Sequence, residues 1–236
     1  YDELSFTVRP EGIKLNCSDL ELPTNENNLV FRAAKLIFSY MDYLGGIDIT
    51  LDKKIPQASG LGGGSSDAAA TLMALNDLCS FELNKKELME LGLKLGADVP
   101  FFIYANSAFA SGIGEKLKIC KNLPEIHAVL INPQFPLSTK EVYSGLNLRL
   151  TSEKINYSIP RLLTLGDVVR ELHNDLEEVS LKLHPELGDL KQILLRHGAL
   201  GALMSGSGPT VFGIYSDEKA ARNAYALIEK EFSSRY

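Results

Sequence analysis

Tryptophan is absent from the 236 residues, cysteine occurs three times, and only 8% of the chain is aromatic. Cys17, Cys79 and Cys120 are odd in number, widely spaced and without a Cys-x-x-Cys pair, which suggests neither a disulfide framework nor a zinc site. They read as buried thiols. His127, His173, His184 and His197 show no His-x-x-x-His spacing and no carboxylate placed as on a zinc-protease helix, so they read as surface or capping residues. No run approaches the roughly 20 apolar residues of a membrane helix, and no basic, apolar signal peptide opens the sequence, so the expected location is the cytoplasm, with no membrane partner. An excess of basic residues is also lacking. Lys and Arg number 24 against 30 Asp and Glu, a net charge of −6, which argues against a general nucleic-acid or anionic-surface binder because such partners reward concentrated positive charge. An initiator methionine is missing too: Tyr1 falls straight into the alternation Leu4, Phe6, Val8, which leads to the expectation that further chain precedes it.

What is present is an ordinary globular composition, 45% hydrophobic and 23% charged with 19 Gly and 10 Pro, enough for one large or two small domains. Residues 2–18 read as two strands around Pro10-Glu11-Gly12. Ala33, Leu36, Ile37, Tyr40 and Leu44 predict a helical face running to Gly45-Gly46. A strand at Ile47 to Leu51 leads into a glycine-rich segment and then a helix with Leu72, Leu75 and Leu78. Asn84 and Glu87 form a capping-box start for a helix that Gly96 stops. Further on, Ala128 to Ile131 reads as a strand, Ser138 with Glu141 as a helix start, and Leu162 to Leu183 and Leu187 to Leu195 as helical patterns. Two strands, Leu200 to Met204 and Val211 to Tyr215, flank Ser205-Gly206-Ser207-Gly208-Pro209, and a last helix from Asp217 turns Ala221, Ala224, Ile228 and Phe232 inward. Strands and helices mix without strict alternation, so an α+β architecture is expected, in two lobes of residues 1–126 and 127–236.

Three segments carry chemistry. In Ile55 to Leu72, Gly60, Gly62, Gly63 and Gly64 permit backbone angles that other residues resist and let a phosphate approach main-chain N–H groups. A side chain at Gly63 would fill the phosphate's space. Ser65, Ser66 and Asp67 then open a helix whose first N–H groups favour an anion. No Lys-Ser or Lys-Thr follows the last glycine, so this is not a Walker A loop. Ser65 stands where a dinucleotide fingerprint needs its third glycine, which disfavours an oxidoreductase. The plain alternative is a flexible loop before a capped helix. In Gly96 to Phe102, Asp98 lies between a helix stop and an apolar run, where water would be scarce. It is a candidate general base, the alternative being an N-cap with Pro100 in the first turn. Ser205 to Phe212 reads as a tight hairpin.

Taken in this order, GLGGGSSDAAA, GADVPFF and GSGPTVF resemble the GHMP kinase superfamily, most closely its 4-diphosphocytidyl-2-C-methyl-D-erythritol-phosphorylating branch, over about Asn28 to Phe212. The resemblance implies a two-lobe fold, with an N-terminal lobe like ribosomal S5 domain 2 and a ferredoxin-like C-terminal lobe. It implies transfer of the γ-phosphoryl of ATP, with Mg²⁺, to the 2-hydroxyl of a cytidine-diphosphate methylerythritol, a step toward isoprenoid precursors. Pro56, Gln57, Ala58, Ser59, Gly60, Leu61, Gly62, Gly63, Gly64, Ser65 and Ser66 would wrap the triphosphate. Ser66 would help hold Mg²⁺; Lys53, Asn28 and Leu29 would line the adenine pocket; Asp98 would be catalytic and Thr139 a substrate-side residue. The family's opening Ala-Lys-x-Asn-Leu strand and Gly-Tyr-His segment do not occur, and both would precede Tyr1. The alternatives are another small-molecule kinase of the superfamily or a catalytically silent nucleotide sensor, as a monomer or homodimer.

Overall fold

The computed structural model describes residues 1–146 and 161–233. The stretch 147–160 and the last three positions of the expected second lobe lie outside the described residues. The chain forms two compact units, one of residues 1–57 and 62–120, the other of residues 58–61 and 121–236. Helices and strands mix in both, the α+β arrangement expected.

In the first unit, β1 (Glu3–Arg9) pairs antiparallel with β3 (Gly46–Asp52), and β2 (Gly12–Cys17) pairs parallel with the other edge of β3, so the two opening strands flank β3 and do not pair with each other. Leu15, Ile47, Ile49 and Leu51 of this sheet, Ala33, Ala34 and Ile37 of α1 (Leu29–Tyr40), and Ala68, Leu72 and Leu75 of α2 (Gly63–Leu78) are buried in one core. Each leucine or isoleucine so buried contributes about 1.5–3 kcal/mol. α3 (Lys85–Leu93) begins with the predicted capping box of Asn84 and Glu87, and α4 (Val99–Tyr104) buries Val99, Pro100 and Ile103. A hairpin of β4 (Ala108–Ser111) and β5 (Lys116–Ile119) follows, in a stretch whose sequence shows no clear period.

The first helix corrects the sequence reading. It ends at Tyr40; Tyr40 is half exposed and Leu44 fully so, and the buried stripe is Val30, Ala33, Ala34, Ile37 and Phe38. The cause is a C-terminal cap that uses Asp42, not glycine, in the left-handed conformation (φ 47°). The Tyr43 N–H bonds to the Phe38 carbonyl, and the Tyr43 ring packs on Phe38 with centroids 4.8 Å apart.

In the second unit, β6 (His127–Ile131) and β7 (Gly201–Met204) flank β8 (Val211–Tyr215), all antiparallel. α5 (Thr139–Gly145) starts at its Ser138 cap as predicted. The single helical pattern read over Leu162 to Leu183 is broken into α6 (Leu165–Arg170) and α7 (Asp175–Leu183), because Asn174 leaves the helical path to cap α7. α8 (Glu186–Arg196) and α9 (Glu218–Ser233) close the core with Leu187, Leu194, Ala221, Ala224 and Ile228 against Val129, Val211 and Tyr215. Cys17, Cys79 and Cys120 are only partly buried, contrary to the sequence reading: Cys17 ends β2, Cys79 follows α2, and Cys120 follows the mostly exposed β5. Among the described residues, no helix is long and apolar enough to cross a membrane, and no cluster of three or more His, Cys, Asp or Glu is placed to hold a metal ion.

Candidate functional site

The glycine-rich segment ends in a helix start that lacks the usual cap. Gly62, with φ 68°, occupies the N-cap of α2 and offers no side chain to its N–H groups. The first-turn donors of Gly63, Gly64 and Ser65 therefore have no partner within the helix, and the first four-residue bond is from Ser66 N–H to the Gly62 carbonyl. This is the geometry of an anion cradle at the positive end of a 16-residue helix. The Ser66 hydroxyl donates to the Gly63 carbonyl at 2.9 Å, which leaves its oxygen lone pairs available to a cation.

Within the first unit, several predicted residues meet at this turn. A Cβ at Gly63 would lie 2.9 Å from Lys53 Nζ and from Ile55 Cγ2, and one at Gly64 would lie 3.4 Å from Leu29 Cδ1. Gly63 is thus small to admit Lys53 and Ile55, whereas the sequence reading reserved its space for phosphate. Its φ is not left-handed; Gly60 and Gly62 are the loop glycines with positive φ. Asn28 is buried and both halves of its amide are engaged: Oδ1 accepts from Val30 N–H at 2.8 Å and Nδ2 donates to the Pro23 carbonyl at 2.9 Å. Lys53 Nζ donates to Asp67 at 3.0 Å and also to Asp2, and all three side chains are almost wholly buried. Burial pushes the Asp67 carboxyl up to about 6, against the ammonium beside it. Burial would raise Asp2 as well, but the N–H groups of Ile55 and Lys54 and the Lys53 ammonium hold it below its ordinary value.

Asp98 differs from expectation in one respect. It is exposed, because α4 buries the Val99, Pro100 and Ile103 face and turns Asp98 outward. It occupies the N-cap position of α4 with Pro100 in the first turn, as the alternative reading had it, but its backbone is helical (φ −85°, ψ −17°) and its carboxylate accepts no bond from the turn. Phe102, one helical turn further on, lies where a Cβ on Gly62 would be 2.8 Å away, so Asp98 shares a face of α4 with the residue that touches the loop's end.

Within the second unit, the tip of the glycine-rich segment is held by the Ser205 to Thr210 turn. Ser205 Oγ donates to the Gly60 carbonyl at 2.8 Å, and Thr210 N–H donates to the Ser59 carbonyl at 3.2 Å. Ser59 is buried and Ala58 exposed. The turn is in turn fixed from behind: Asn174 Nδ2 donates to the carbonyls of Met204 and Gly206 at 2.9 and 2.8 Å, and Glu177 accepts the Met204 N–H at 2.9 Å. Thr139 Oγ1 lies 2.9 Å from Ser207 Oγ on the same turn. Pro56 and Gln57 are exposed in the first unit, where Gln57 donates to Asp19 at 3.0 Å. Asp2, Asn174, Glu177 and Ser205 were not singled out from sequence; only the small-residue turn that contains Ser205 signalled any of them.

A family model described as GHMP kinases N terminal domain matches residues 28–106, and one described as GHMP kinases C terminal matches residues 157–234. A 4-diphosphocytidyl-2-C-methyl-D-erythritol kinase of Syntrophus aciditrophicus (strain SB) is 53% identical over 230 residues, covering 98% of this chain and 82% of that protein. The protein of the same description in Geobacter sulfurreducens is 46% identical over 227 residues, 96% of this chain and 80% of that one. A crystal structure of a 4-(cytidine 5'-diphospho)-2C-methyl-D-erythritol kinase matches with a TM-score of 0.79 at 35% identity, over 97% of this chain and 82% of that one. A homoserine kinase from Cytophaga hutchinsonii matches with a TM-score of 0.80 over 99% of this chain and 82% of that one, at 22% identity, a likeness of fold alone.

Proposed function

The chain belongs to the GHMP kinase family, whose members are ATP-dependent small-molecule kinases, and we propose that it phosphorylates the 2-hydroxyl of 4-diphosphocytidyl-2-C-methyl-D-erythritol. The observation that carries the reading is the uncapped start of α2 behind Gly62, with the exposed Asp98 at the start of α4, one helical turn before the Phe102 that lies against Gly62. Phosphoryl transfer asks a protein for positioning and for donors aimed at phosphate oxygens, with little covalent chemistry of its own. The N–H groups of Gly63, Gly64 and Ser65 supply such donors. Asp98 accepts the proton of the acceptor hydroxyl, a role that suits a carboxylate with no hydrogen-bond partner among the described residues. Thr139, beside Ser207, lies on the substrate side.

The Ser66 hydroxyl is the group of this loop that would help hold Mg²⁺, which when bound with the nucleotide would neutralise charge on the phosphate oxygens. Mg²⁺ keeps most of its ligands as water and phosphate, so no protein cage is needed. Leu29 lies beside the first turn of α2, where it can line a pocket for the base; Lys53 lies there too, but its ammonium is taken by Asp2 and Asp67. A cytoplasmic setting suits an enzyme that draws on ATP.

The test is direct. The full-length protein is incubated with ATP, Mg²⁺ and the cytidine-diphospho polyol, and ADP and a monophosphorylated product are measured. ADP release that depends on the polyol, with phosphate on its 2-hydroxyl, is the expected result. Release at the same rate without the polyol, or no release, refutes the proposal.

A further inference from the structure

Two carboxylates and one ammonium lie buried together at the base of the glycine-rich segment, and the phosphoryl-transfer chemistry above uses none of them. Lys53 follows β3 and stands three residues before Pro56; Asp67 stands one residue after Ser66; Asp2 precedes β1. Side-chain exposure is 7% for Lys53, 2% for Asp2 and 4% for Asp67. Asp2 Oδ1 accepts the N–H groups of Lys54 and Ile55 at 2.6 and 2.7 Å, so it pins the backbone that feeds the loop. Lys53 Nζ bridges from Asp2 to Asp67, on the helix turn into which the loop runs. Ile55 and the Lys53 ammonium then pack on Gly63 so closely that a Cβ would meet both at 2.9 Å.

We propose that Asp2, Lys53 and Asp67 form a buried clamp that joins the two ends of the glycine-rich loop and holds it in its phosphate-binding shape, making Asp2 and Asp67 positioning residues for the nucleotide. A buried ion cluster is a poor source of net stability, because apolar side chains of the same volume serve as well. Its distinctive property is direction: each bond here has one geometry, and together they set the distance between residues 53–55 and 63–67. A loop that must bring backbone N–H groups to a triphosphate benefits from being ordered before the ligand arrives, since ordering it at binding would weaken affinity. Two carboxylates sharing one ammonium leave a net negative charge beside an anion site. Such an arrangement opposes nucleotide binding by charge, so its value lies in holding the backbone.

The inference rests on the reading of the loop as a nucleotide site, and the experiment separates the two. Affinity for a non-hydrolysable ATP analogue, KM for ATP, kcat and Tm are measured for the wild-type protein, Asp67→Ala and Asp67→Asn. The clamp requires Asp67→Ala to weaken analogue binding by about tenfold or more and to raise KM for ATP similarly, with kcat at saturating ATP within about threefold. Asp67→Asn, which keeps an oxygen toward Lys53, should recover most of that affinity. Unchanged binding by folded Asp67→Ala overturns the clamp, whatever the change in Tm. Tighter binding also overturns it, since that is what a released Lys53 reaching the nucleotide would give. Should Asp67→Ala fail to fold, Asp2→Ala, which releases Lys54 and Ile55 but leaves the Lys53–Asp67 pair, carries the same expectation and the same refutation. A wild-type protein that binds no analogue overturns the nucleotide reading, and with it the purpose assigned to the clamp.

Discussion

Replacing Gly60 by alanine should disable the nucleotide loop while leaving the protein folded. Gly60 has φ 75°, a region that costs an L-residue roughly 1–2 kcal/mol, and a Cβ there would collide with the main-chain carbonyl oxygen of Ser205. No side-chain rotation relieves a collision with backbone. The cheapest relief is to lift residues 58–61 off the turn, which breaks Ser205 Oγ to Gly60 O and Thr210 N to Ser59 O, each worth about 0.5–1.5 kcal/mol net. Together these come to about 2–5 kcal/mol. If binding needs the seated loop, that range corresponds to a loss of affinity between roughly 30-fold and a few thousandfold, at about 1.4 kcal/mol per decade.

Gly206→Ala is the internal control. Its Cβ would stop 3.4 Å from the Gly60 carbonyl oxygen, so only the strain of φ 54° remains, about 1 kcal/mol and a loss of a few fold. Calorimetry with a non-hydrolysable ATP analogue reads the affinity, and thermal unfolding should show Tm lower by roughly 4–20 °C for Gly60→Ala and by about 2–4 °C for Gly206→Ala. Gly60→Ala that binds within threefold of the wild type, or no more weakly than Gly206→Ala, would show that the loop binds nucleotide without its seat on the turn.

Asp98→Asn should lower kcat by roughly 10² to 10⁴ and leave analogue affinity unchanged; a variant that keeps more than about a third of its kcat removes Asp98 from the chemistry. Stability should carry a slope from Asp67. Its folded pKa of about 6 exceeds the ordinary 3.8, so between those values the folded state binds more protons and stability falls as pH rises. Asp2 is held below 3.8, so its opposite effect lies at lower pH and does not cancel this one. Urea unfolding from pH 4 to 6.5 should show the slope in the wild type and a flatter one in Asp67→Asn; equal slopes refute the assignment. Asn174→Ala removes two bonds to the carbonyls of Met204 and Gly206 and the cap on Leu176 N–H. It should cost about 2 kcal/mol in denaturant unfolding and raise KM for ATP several-fold, and a fully stable variant would contradict the anchoring role.

The elements that sequence reasoning found are those whose signals are local. Asn84 and Glu87 satisfy each other within one turn, so their capping box was readable three residues apart, as was the Ser138 start of α5. The errors lie where a distant contact overrides a local pattern. Leu44 continues the spacing of α1, yet Tyr43 is drawn onto Phe38 and Phe81, and Asp42 adopts the left-handed turn that glycine was expected to supply. Asn174 looks like a mid-helix residue until β7 and its turn present two carbonyls to its amide, 30 and 32 positions away. The strand pairing of β1 and β2 with β3 was likewise invisible in either strand alone, since alternation defines a face and not a neighbour.

The same division runs through the site. A cradle of backbone donors must be built from consecutive residues at a helix start, which is why the uncapped turn from Gly62 to Ser66, proposed here as one, was legible from the letters alone. What makes the cradle rigid cannot be consecutive, because a short loop does not restrain itself. Asp2 reaches Lys53 across 51 positions and Ser205 reaches Gly60 across 145, and each fixes a different part of the loop, the first its ends and the second its tip. On the proposed function, the loop's worth to catalysis therefore depends on Asp2 and Ser205 as well as on its glycines, and neither residue type by itself announces such a role. Such supports hold donors ready before the charge they stabilise develops, and a loop with the same glycines but without them would have to be ordered by the nucleotide itself.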